Sequence, residues 1–306
     1  MKIAIIGAGA MGCLIASYLC THHEIWLVDP WQTQVDTINS LGLTRERESH
    51  VSVCYPHATM NPHDVADADV AIVLVKYHQT PWAAEQVAAA LRADGLCVTL
   101  QNGIGGADVL AHHLGTTPVT RGVTSLGATL VKPGHVRHAG MGDTVFSHVT
   151  APDVIDTLIQ AFNDAGLPAH ASSNLDEIVW GKLIVNVAIN ALTGILRVPN
   201  GIIAEHTGAM AIAHAAVQEA IHVAQAHGIS LPYDDAFSHA MSVARATAGN
   251  RSSTLQDVMR GSPSEIMTIN GAVVAYAEQK GIPVPVNRLL VEFMNIIDTT
   301  AAVRIT

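Results

Sequence analysis

The chain has 306 residues, about twice the length of a typical domain, so two domains are expected. Apolar residues make up 49% of the chain and charged residues 14%, a composition that excludes a largely disordered protein. The 26 acidic residues outnumber the 16 basic ones, and the resulting net charge of −10 would repel a phosphate backbone, so no nucleic-acid partner is expected.

Short apolar runs typical of buried strands alternate with helical patterns in the first half of the chain. The strand candidates are residues 2–6, 24–28, 70–75 and 96–100, and a helical pattern covers residues 80–91. This alternation predicts a parallel sheet covered on both faces by helices.

The apolar segment at residues 3–19 resembles a signal peptide in hydropathy only. Three glycines interrupt it, and it continues directly into a second strand candidate, so we interpret it as part of the fold. No uninterrupted apolar stretch reaches the roughly 18 residues of a transmembrane helix. We therefore expect a cytoplasmic protein with no membrane partner.

The pattern changes in the middle of the chain. Short strand candidates over residues 117–149, separated by turn residues such as Pro133-Gly134, predict antiparallel strands that close the sheet. After Ser172 the chain is rich in alanine, with apolar residues every three or four positions. We predict an α/β Rossmann-type dinucleotide-binding domain over residues 1–171, followed by an all-α substrate-binding and catalytic domain over residues 172–306.

A glycine-rich loop follows the first strand candidate and opens the first helix. Its sequence matches the dinucleotide-binding pattern GxGxxG, in which the first glycine allows a tight turn and the second lets the backbone approach a pyrophosphate. The third glycine lets helix and strand pack closely, and the helix N-terminus offers free N–H groups to the anion. Alternatively, the glycines serve only a tight turn. The predicted cofactor-binding residues here are Gly7, Ala8, Gly9, Ala10, Met11 and Gly12.

Asp29 ends the second strand candidate, 22 residues after Gly7. A carboxylate at this place accepts hydrogen bonds from the ribose hydroxyls of NAD and repels the 2′-phosphate of NADP. NAD is therefore the expected cofactor, and no Lys or Arg beside Trp31 favours the phosphate instead. The alternative is a solvated loop aspartate.

Lys76 and Asn102 each follow a strand candidate of the predicted parallel sheet. In open parallel sheets ligands bind beyond the carboxyl ends of the strands, so both residues are candidates to contact the nicotinamide half of the cofactor. Either residue could equally be a solvated loop residue or a turn former, since Asn-Gly is a common turn pair.

Lys182, Asn186 and Asn190 recur every four residues on one face of an otherwise apolar helical segment. A buried helix face that carries an ammonium and two amides needs polar partners. The row is either satisfied by another helix or by water, or it binds a polar ligand.

A second polar cluster contains Asn250, Ser253 and Glu265. Asn250 and Ser253 could be only a helix N-cap and its neighbour, and Glu265 could be a charge on a helix face. A partly desolvated lysine near a carboxylate would, however, form a suitable proton donor.

This ordered set of motifs resembles the ketopantoate reductase family over nearly the whole chain. The matching features are the N-terminal GxGxxG loop, Asn102-Gly103, the row from Lys182 to Asn190, Pro199-Asn200-Gly201, and the stretch from Asn250 to Asp257 with Glu265. The resemblance implies that the protein is an NAD(P)-dependent dehydrogenase. The implied reaction is the nicotinamide-dependent reduction of 2-dehydropantoate to (R)-pantoate.

The resemblance also implies roles for individual residues. Lys182 matches the general acid of the family, and Glu265 matches the acidic residue that holds this lysine and the substrate. Lys76 matches a lysine near the mouth of the active site. The positions that match substrate-orienting or cofactor-contacting residues are Asn102, Asn186, Asn190, Asn250 and Ser253.

Asp29 departs from the many family members that carry a basic residue at this place and use NADP. Relatives with an acidic residue there resemble NAD-dependent D-2-hydroxyacid dehydrogenases that act on branched or aromatic 2-keto acids such as benzoylformate. Two alternatives follow: such a dehydrogenase, or a non-catalytic NAD-binding sensor that has kept the fold.

The 17 histidines show no metal-ligand spacing, so no metal site is expected. The four cysteines show no CxxC spacing and are expected to be reduced thiols. The alanine-rich segment Ala209 to Ala226 could pack against a second subunit, which makes a homodimer plausible.

Overall fold

The structure is a computed structural model that describes residues 1–303. The chain divides into two compact units, one made of Met1–Gln101 with Gly106–Leu175, and the other of residues 102–105 with the chain from Asp176 onward. The sequence predicts a division between residues 171 and 172, with residues 102–105 in the first domain. The later boundary follows from the end of the last strand at Ser172 and the start of the long helix at Leu175.

The first unit is built on an eight-stranded sheet with strand order β12-β11-β8-β7-β6-β1-β2-β5. The strands from β5 to β8 are parallel, β11 runs antiparallel to β8, and β12 is parallel to β11. The strands are β1 (Lys2–Ile6), β2 (Glu24–Val28), β3 (Leu43–Arg47), β4 (His50–Cys54), β5 (His57–Thr59), β6 (Ala68–Val73), β7 (Leu91–Thr99), β8 (Val119–Thr124), β9 (Gly127–Lys132), β10 (His135–Gly140), β11 (Thr144–Ser147) and β12 (Ala169–Ser172).

Both faces of this sheet are covered by helices, as β1 shows residue by residue. Ile3 and Ile5 belong to the hydrophobic core on one face, and Ala4 and Ile6 belong to the core on the other. Side chains alternate along a strand, so burial on both faces requires a continuous apolar run. The helices of this unit are α1 (Ala10–Leu19), α2 (Gln32–Leu41), α3 (Thr80–Ala90), α4 (Gly106–Leu114) and α5 (Pro152–Asp164). The predicted α/β Rossmann-type fold is confirmed.

The prediction that residues 117–149 close the main sheet is only partly right. β8 and β11 join that sheet, whereas β9 and β10 form a separate four-stranded sheet in the order β4-β3-β10-β9. β3 was not predicted because its sequence is charged. The charge of Glu46 on β3 is paired with a residue of the neighbouring strand β10, since Arg137 Nε donates to Glu46 Oε1 at 3.0 Å. A hydropathy pattern does not detect such a strand.

The second unit is helical, which confirms the all-α character predicted for the C-terminal part. Its helices are α6 (Leu175–Leu196), α7 (Gly201–Glu205), α8 (Thr207–Ala226), α9 (Ala236–Ala246), α10 (Ser253–Arg260), α11 (Asn270–Lys280) and α12 (Pro285–Thr299). α6 is long and apolar enough to cross a membrane, but 72% of its most apolar window is buried within the protein. Such burial is typical of a core helix.

Candidate active site

The predicted site residues fall into two groups, one in each unit. The first group is the glycine loop between β1 and α1. Gly7 has a φ of +107°, which favours glycine, and a Cβ on Gly12 would lie 1.9 Å from the carbonyl oxygen of Gly7. A Cβ on Gly9 would meet no atom within 4 Å. The outer glycines are thus required by the turn and by helix packing, whereas the middle one borders open space.

Ala8 is held from both sides by side chains. Its N–H donates to Asp29 Oδ2 at 2.7 Å, and its carbonyl accepts from Gln34 Nε2 at 2.7 Å. Asp29 Oδ1 also accepts the N–H of Trp31 at 2.9 Å. Asp29 is therefore not merely a solvated loop residue, because it fixes the loop and leaves its remaining lone pairs for a ligand.

Gln34 was missed by sequence reasoning. It is fully buried in α2, and its Oε1 accepts the N–H of Gly134 at 2.9 Å. A buried amide needs hydrogen-bond partners for both its oxygen and its nitrogen, and here the nitrogen's partner is the glycine loop. The only available signal in the sequence was a glutamine on the apolar side of an amphipathic helix.

The glycine loop fits a dinucleotide. Gly9 is exposed, Ala10 and Met11 are partly exposed, and no side chain caps the N-terminus of α1. The first N–H groups of a helix need partners, and an anion such as a pyrophosphate satisfies them and interacts favourably with the helix dipole. Open space at Gly9 lets the anion approach the backbone.

Lys76 lies just past β6, at the edge of the sheet where the glycine loop also lies. A Cβ on Gly7 would come within 3.0 Å of Val75 Cγ1, which shows how close the two segments are. Gln101 fixes this edge, since its Nε2 donates to the Val75 carbonyl at 3.0 Å and to Thr80 Oγ1 at 2.9 Å. Lys76 is partly exposed, as a ligand contact requires, and Gln101 was not singled out from the sequence.

The second group lies in the helical unit and is centred on Lys182. Lys182 Nζ donates to Asn102 Oδ1 at 2.9 Å, and Asn102 Nδ2 donates to Glu265 Oε2 at 3.3 Å. Glu265 is buried, with 6% of its surface exposed. The Asn102 amide thus bridges an ammonium and a carboxylate, although these three residues are far apart in the sequence.

Burial lowers the pKa of Lys182 to about 8, and the negative charge of Glu265 partly offsets this effect. Without the carboxylate, the ammonium would lose its proton more readily. A pKa near neutrality suits a group that must be charged at rest and still release a proton during a reaction.

The row on α6 continues from Lys182 towards α10. Asn186 is partly exposed, and Asn190 Nδ2 donates to Ser253 Oγ at 3.4 Å. Ser253 is not the N-cap of α10, because Ser252 accepts the N–H of Leu255 at 3.0 Å and fills that role. The simple capping interpretation of Ser253 is therefore wrong.

Asn250 lies outside this hydrogen-bonded group. It is exposed, and its backbone carbonyl accepts the N–H of Asn200 at 3.0 Å. The structure therefore brings Lys182, Asn102 and Glu265 together, and separately Asn190 and Ser253. For Asn250 it shows a hydrogen bond through the backbone carbonyl.

Two family models match the chain. The model described as ketopantoate reductase PanE/ApbA matches residues 3–151, and the model of the C-terminal part of ketopantoate reductase PanE/ApbA matches residues 174–298. A 2-dehydropantoate 2-reductase of Halobacterium salinarum is 35% identical over 97% of this chain and 98% of its own length. The corresponding enzyme of Archaeoglobus fulgidus is 32% identical over 96% of each chain.

Solved structures show the same similarity. A PanE/ApbA family ketopantoate reductase from Ralstonia eutropha has a TM-score of 0.91 and 35% identity, covering 98% of this chain and 99% of its own. D-mandelate dehydrogenase in a ternary structure with NADH and anilino(oxo)acetate has a TM-score of 0.92 and 26% identity, covering 99% of this chain and 100% of its own.

Proposed function

The chain belongs to the ketopantoate reductase family, and we propose that it reduces the ketone of 2-dehydropantoate to the alcohol of (R)-pantoate with a nicotinamide cofactor. The observation that carries this proposal is the hydrogen-bonded chain from Lys182 through Asn102 to Glu265. It provides a desolvated ammonium whose pKa of about 8 is suited to proton donation.

Lys182 acts as the general acid. When bound, a nicotinamide cofactor would supply the hydride for the new C–H bond. As that bond forms, negative charge develops on the carbonyl oxygen, and the Lys182 ammonium stabilises it and transfers a proton from Nζ to that oxygen. The neutral amine then takes a proton from solvent. Glu265 keeps the lysine charged between turnovers, and Asn190 and Ser253 orient the substrate.

We propose NAD rather than NADP as the cofactor. The support is the Asp29 carboxylate beside Ala8, whose charge would repel a 2′-phosphate on the adenosine ribose. The residues proposed to bind the cofactor are Gly7, Ala8, Gly9, Ala10, Met11, Gly12, Asp29, Lys76 and Asn102.

One assay tests both proposals. Loss of NADH or NADPH absorbance is followed with 2-dehydropantoate, benzoylformate and 2-ketoisovalerate in parallel. The expected result is the highest kcat/KM for 2-dehydropantoate, with NADH oxidised faster than NADPH. Absence of turnover with all three keto acids would contradict the proposal and support an NAD-binding sensor.

The second candidate is a D-2-hydroxyacid dehydrogenase for a branched or aromatic keto acid. Asp29 favours it, as does the structural similarity to D-mandelate dehydrogenase with NADH. Both reactions need the same proton donor, so only the keto-acid comparison separates them. A higher kcat/KM for benzoylformate would establish this candidate.

We further propose that the protein is a cytoplasmic homodimer that binds neither nucleic acid nor membranes. The net charge of −10 supports the absence of anionic partners. An apolar groove of about 600 Å³ on the helical unit supports the dimer. It is lined mainly by α8 and α12, including Ile212, Leu289 and Phe293.

A further inference from the structure

Residues 102–105 are fixed to the short turn that follows Glu265. The N–H of Ile104 donates to the carbonyl of Thr268 at 3.0 Å. Gly103 has a φ of +80°, and a Cβ at this position would lie 2.2 Å from that same carbonyl oxygen. Because both the backbone angle and the close contact exclude a side chain, only glycine fits here without displacing the loop.

Thr268 is fixed in turn to Glu265. Thr268 is 1% exposed, and both its N–H and its hydroxyl donate to the backbone carbonyl of Glu265, at 3.1 Å and 3.0 Å. The side chain of Glu265 accepts from Asn102 at 3.3 Å. The contacts thus form a closed circuit from Asn102 through Gly103 and Ile104 to Thr268, Glu265 and back to Asn102.

We propose that Gly103 and Thr268 are positioning residues that hold the Asn102 amide between Lys182 and Glu265. The inference rests on the proposed role of Lys182 as general acid. The two charged neighbours determine which way the amide faces, since its oxygen accepts from the ammonium and its nitrogen donates to the carboxylate. The contact between Gly103 and Thr268 determines where the amide lies.

The location of Asn102 matters because its side-chain oxygen accepts a hydrogen bond from the Lys182 ammonium. A displacement of about 1 Å in a catalytic arrangement can lower the rate on the order of 10²-fold. A side chain at Gly103 would have to move the loop by a comparable distance, because the obstacle is backbone rather than a flexible side chain.

The test is a double-mutant cycle on kcat/KM for the keto acid that the wild-type protein reduces. The variants are Gly103→Ala, Asn102→Ala and the double variant. Gly103→Ala is expected to lower kcat/KM on the order of 10²-fold although it keeps the Asn102 side chain. If Gly103 acts through Asn102, the double variant loses no more than the worse single variant, because residues that act as one unit are not additive.

Gly261→Ala is the matched control. Gly261 also has a positive φ, +67°, in the same unit, but a Cβ there meets no atom within 4 Å. It reproduces the backbone strain without the contact, and its kcat/KM is expected to stay within about twofold of wild type. Comparing Thr268→Ser with Thr268→Ala adds a conservative rescue. The serine variant keeps the hydroxyl donor to Glu265 and should retain the higher kcat.

Two results would overturn the inference. In one, Gly103→Ala matches Gly261→Ala in kcat/KM. In the other, the fold-losses of Gly103→Ala and Asn102→Ala multiply in the double variant, which would indicate independent effects. Both require an active wild-type protein. A wild-type protein that reduces no keto acid would instead contradict the proposed function.

Discussion

Lys182 shows how one residue combines burial with a retained charge. Partial burial of its ammonium on α6 favours the neutral amine, and the Glu265 carboxylate favours the charged form. Burial is the larger effect, so the pKa falls to about 8 from an ordinary value of 10.5. The group therefore remains mostly protonated at neutral pH and becomes neutral under mildly alkaline conditions.

A pH dependence of the reduction follows from this pKa. Reduction requires protonated Lys182, so kcat should be highest below pH 8 and fall as the pH rises through about 8. The measurement is kcat with saturating NADH and keto acid between about pH 6 and about pH 10. The residual activity of Lys182→Arg should lack this decline, since arginine stays charged over the range. A wild-type kcat that is constant across the range would contradict the general-acid role.

Substitution of the same residue separates chemistry from cofactor binding. Lys182→Ala should lower kcat about 10²- to 10⁴-fold, the usual contribution of general acid catalysis. The dissociation constant for NADH, measured by fluorescence titration, should change far less, because the glycine loop and Asp29 belong to the other unit. Equal losses in kcat and NADH affinity would show that Lys182 has no specific role in proton transfer.

Some site residues could be predicted from the sequence, and others could not. The spacing of Lys182, Asn186 and Asn190 gave the polar face of α6 directly. Gln34 and Thr268 act through contacts with residues distant in the sequence, and neither belongs to a short motif. Ser252 rather than Ser253 caps α10, a choice that depends on where the helix begins by one residue.

At the scale of elements, α2 stabilises the loop between β1 and α1. Gln34 connects this helix to the carbonyl of Ala8 and to the N–H of Gly134 in the turn between β9 and β10. One buried amide therefore contacts both the glycine loop after β1 and a turn of the four-stranded sheet. The loop conformation depends on α2 as well as on the glycines.

Replacement of this amide should weaken cofactor binding. Gln34→Ala removes the amide that donates to the Ala8 carbonyl, which keeps only the weaker Cys13 thiol as a side-chain donor. It also removes the acceptor of the buried Gly134 N–H, at a cost of about 1–3 kcal/mol. We expect KM for NADH to rise about tenfold, a loss of about 1.4 kcal/mol, with a smaller change in kcat. Gln160→Ala on the exposed face of α5 is the matched control, since that glutamine side chain donates to Asp164 Oδ1 one helical turn away. An unchanged KM for NADH in a folded Gln34→Ala protein would remove the proposed role.

The elements of the first unit were predictable to different degrees. β1, β2 and the glycine loop follow from local patterns, because a strand buried on both faces must be apolar throughout. β4 is mostly exposed, and β3 carries three charged side chains, of which Glu46 is paired with Arg137 on the neighbouring strand β10. These two strands form through contacts between distant parts of the chain, which a hydropathy pattern does not show.

At the scale of the whole molecule, the helical unit exposes a group of large apolar side chains that lie close together. Leu196, Ile212, Leu289, Phe293 and Ile296 are each 45–57% exposed, and four of them line one groove. The wall on α8 consists largely of alanine and glycine, whereas α12 presents bulky side chains. A two-fold axis would place the bulky side chains of one copy against the small residues of the other.

This arrangement predicts a charge-sensitive dimer. Phe293→Glu should produce a monomer by burying a carboxylate in an apolar interface, and size-exclusion chromatography with light scattering measures the mass. Val131→Glu, an exposed position on β9 of the first unit, should leave the mass unchanged. A wild-type protein that is already monomeric would contradict the proposed dimer.

The two-domain organisation followed from composition, yet its exact division did not. The change from strand patterns to helical periodicity predicts a boundary between residues 171 and 172, and the compact units of the structure divide after Leu175. No local sequence pattern indicates that residues 102–105 belong to the helical unit, because their assignment depends on the contact with Thr268.

The placement of residues 102–105 has a consequence for recombination between relatives. A single crossover near residue 171 transfers Lys182 and Glu265 together but leaves Asn102 and Gly103 with the other parent. In such a chimaera, Lys182 and Glu265 would come from one parent and the Asn102 amide that lies between them from the other. Functional exchange of this half of the gene therefore requires a second, four-codon exchange about 70 codons upstream, or parents already identical over residues 102–105.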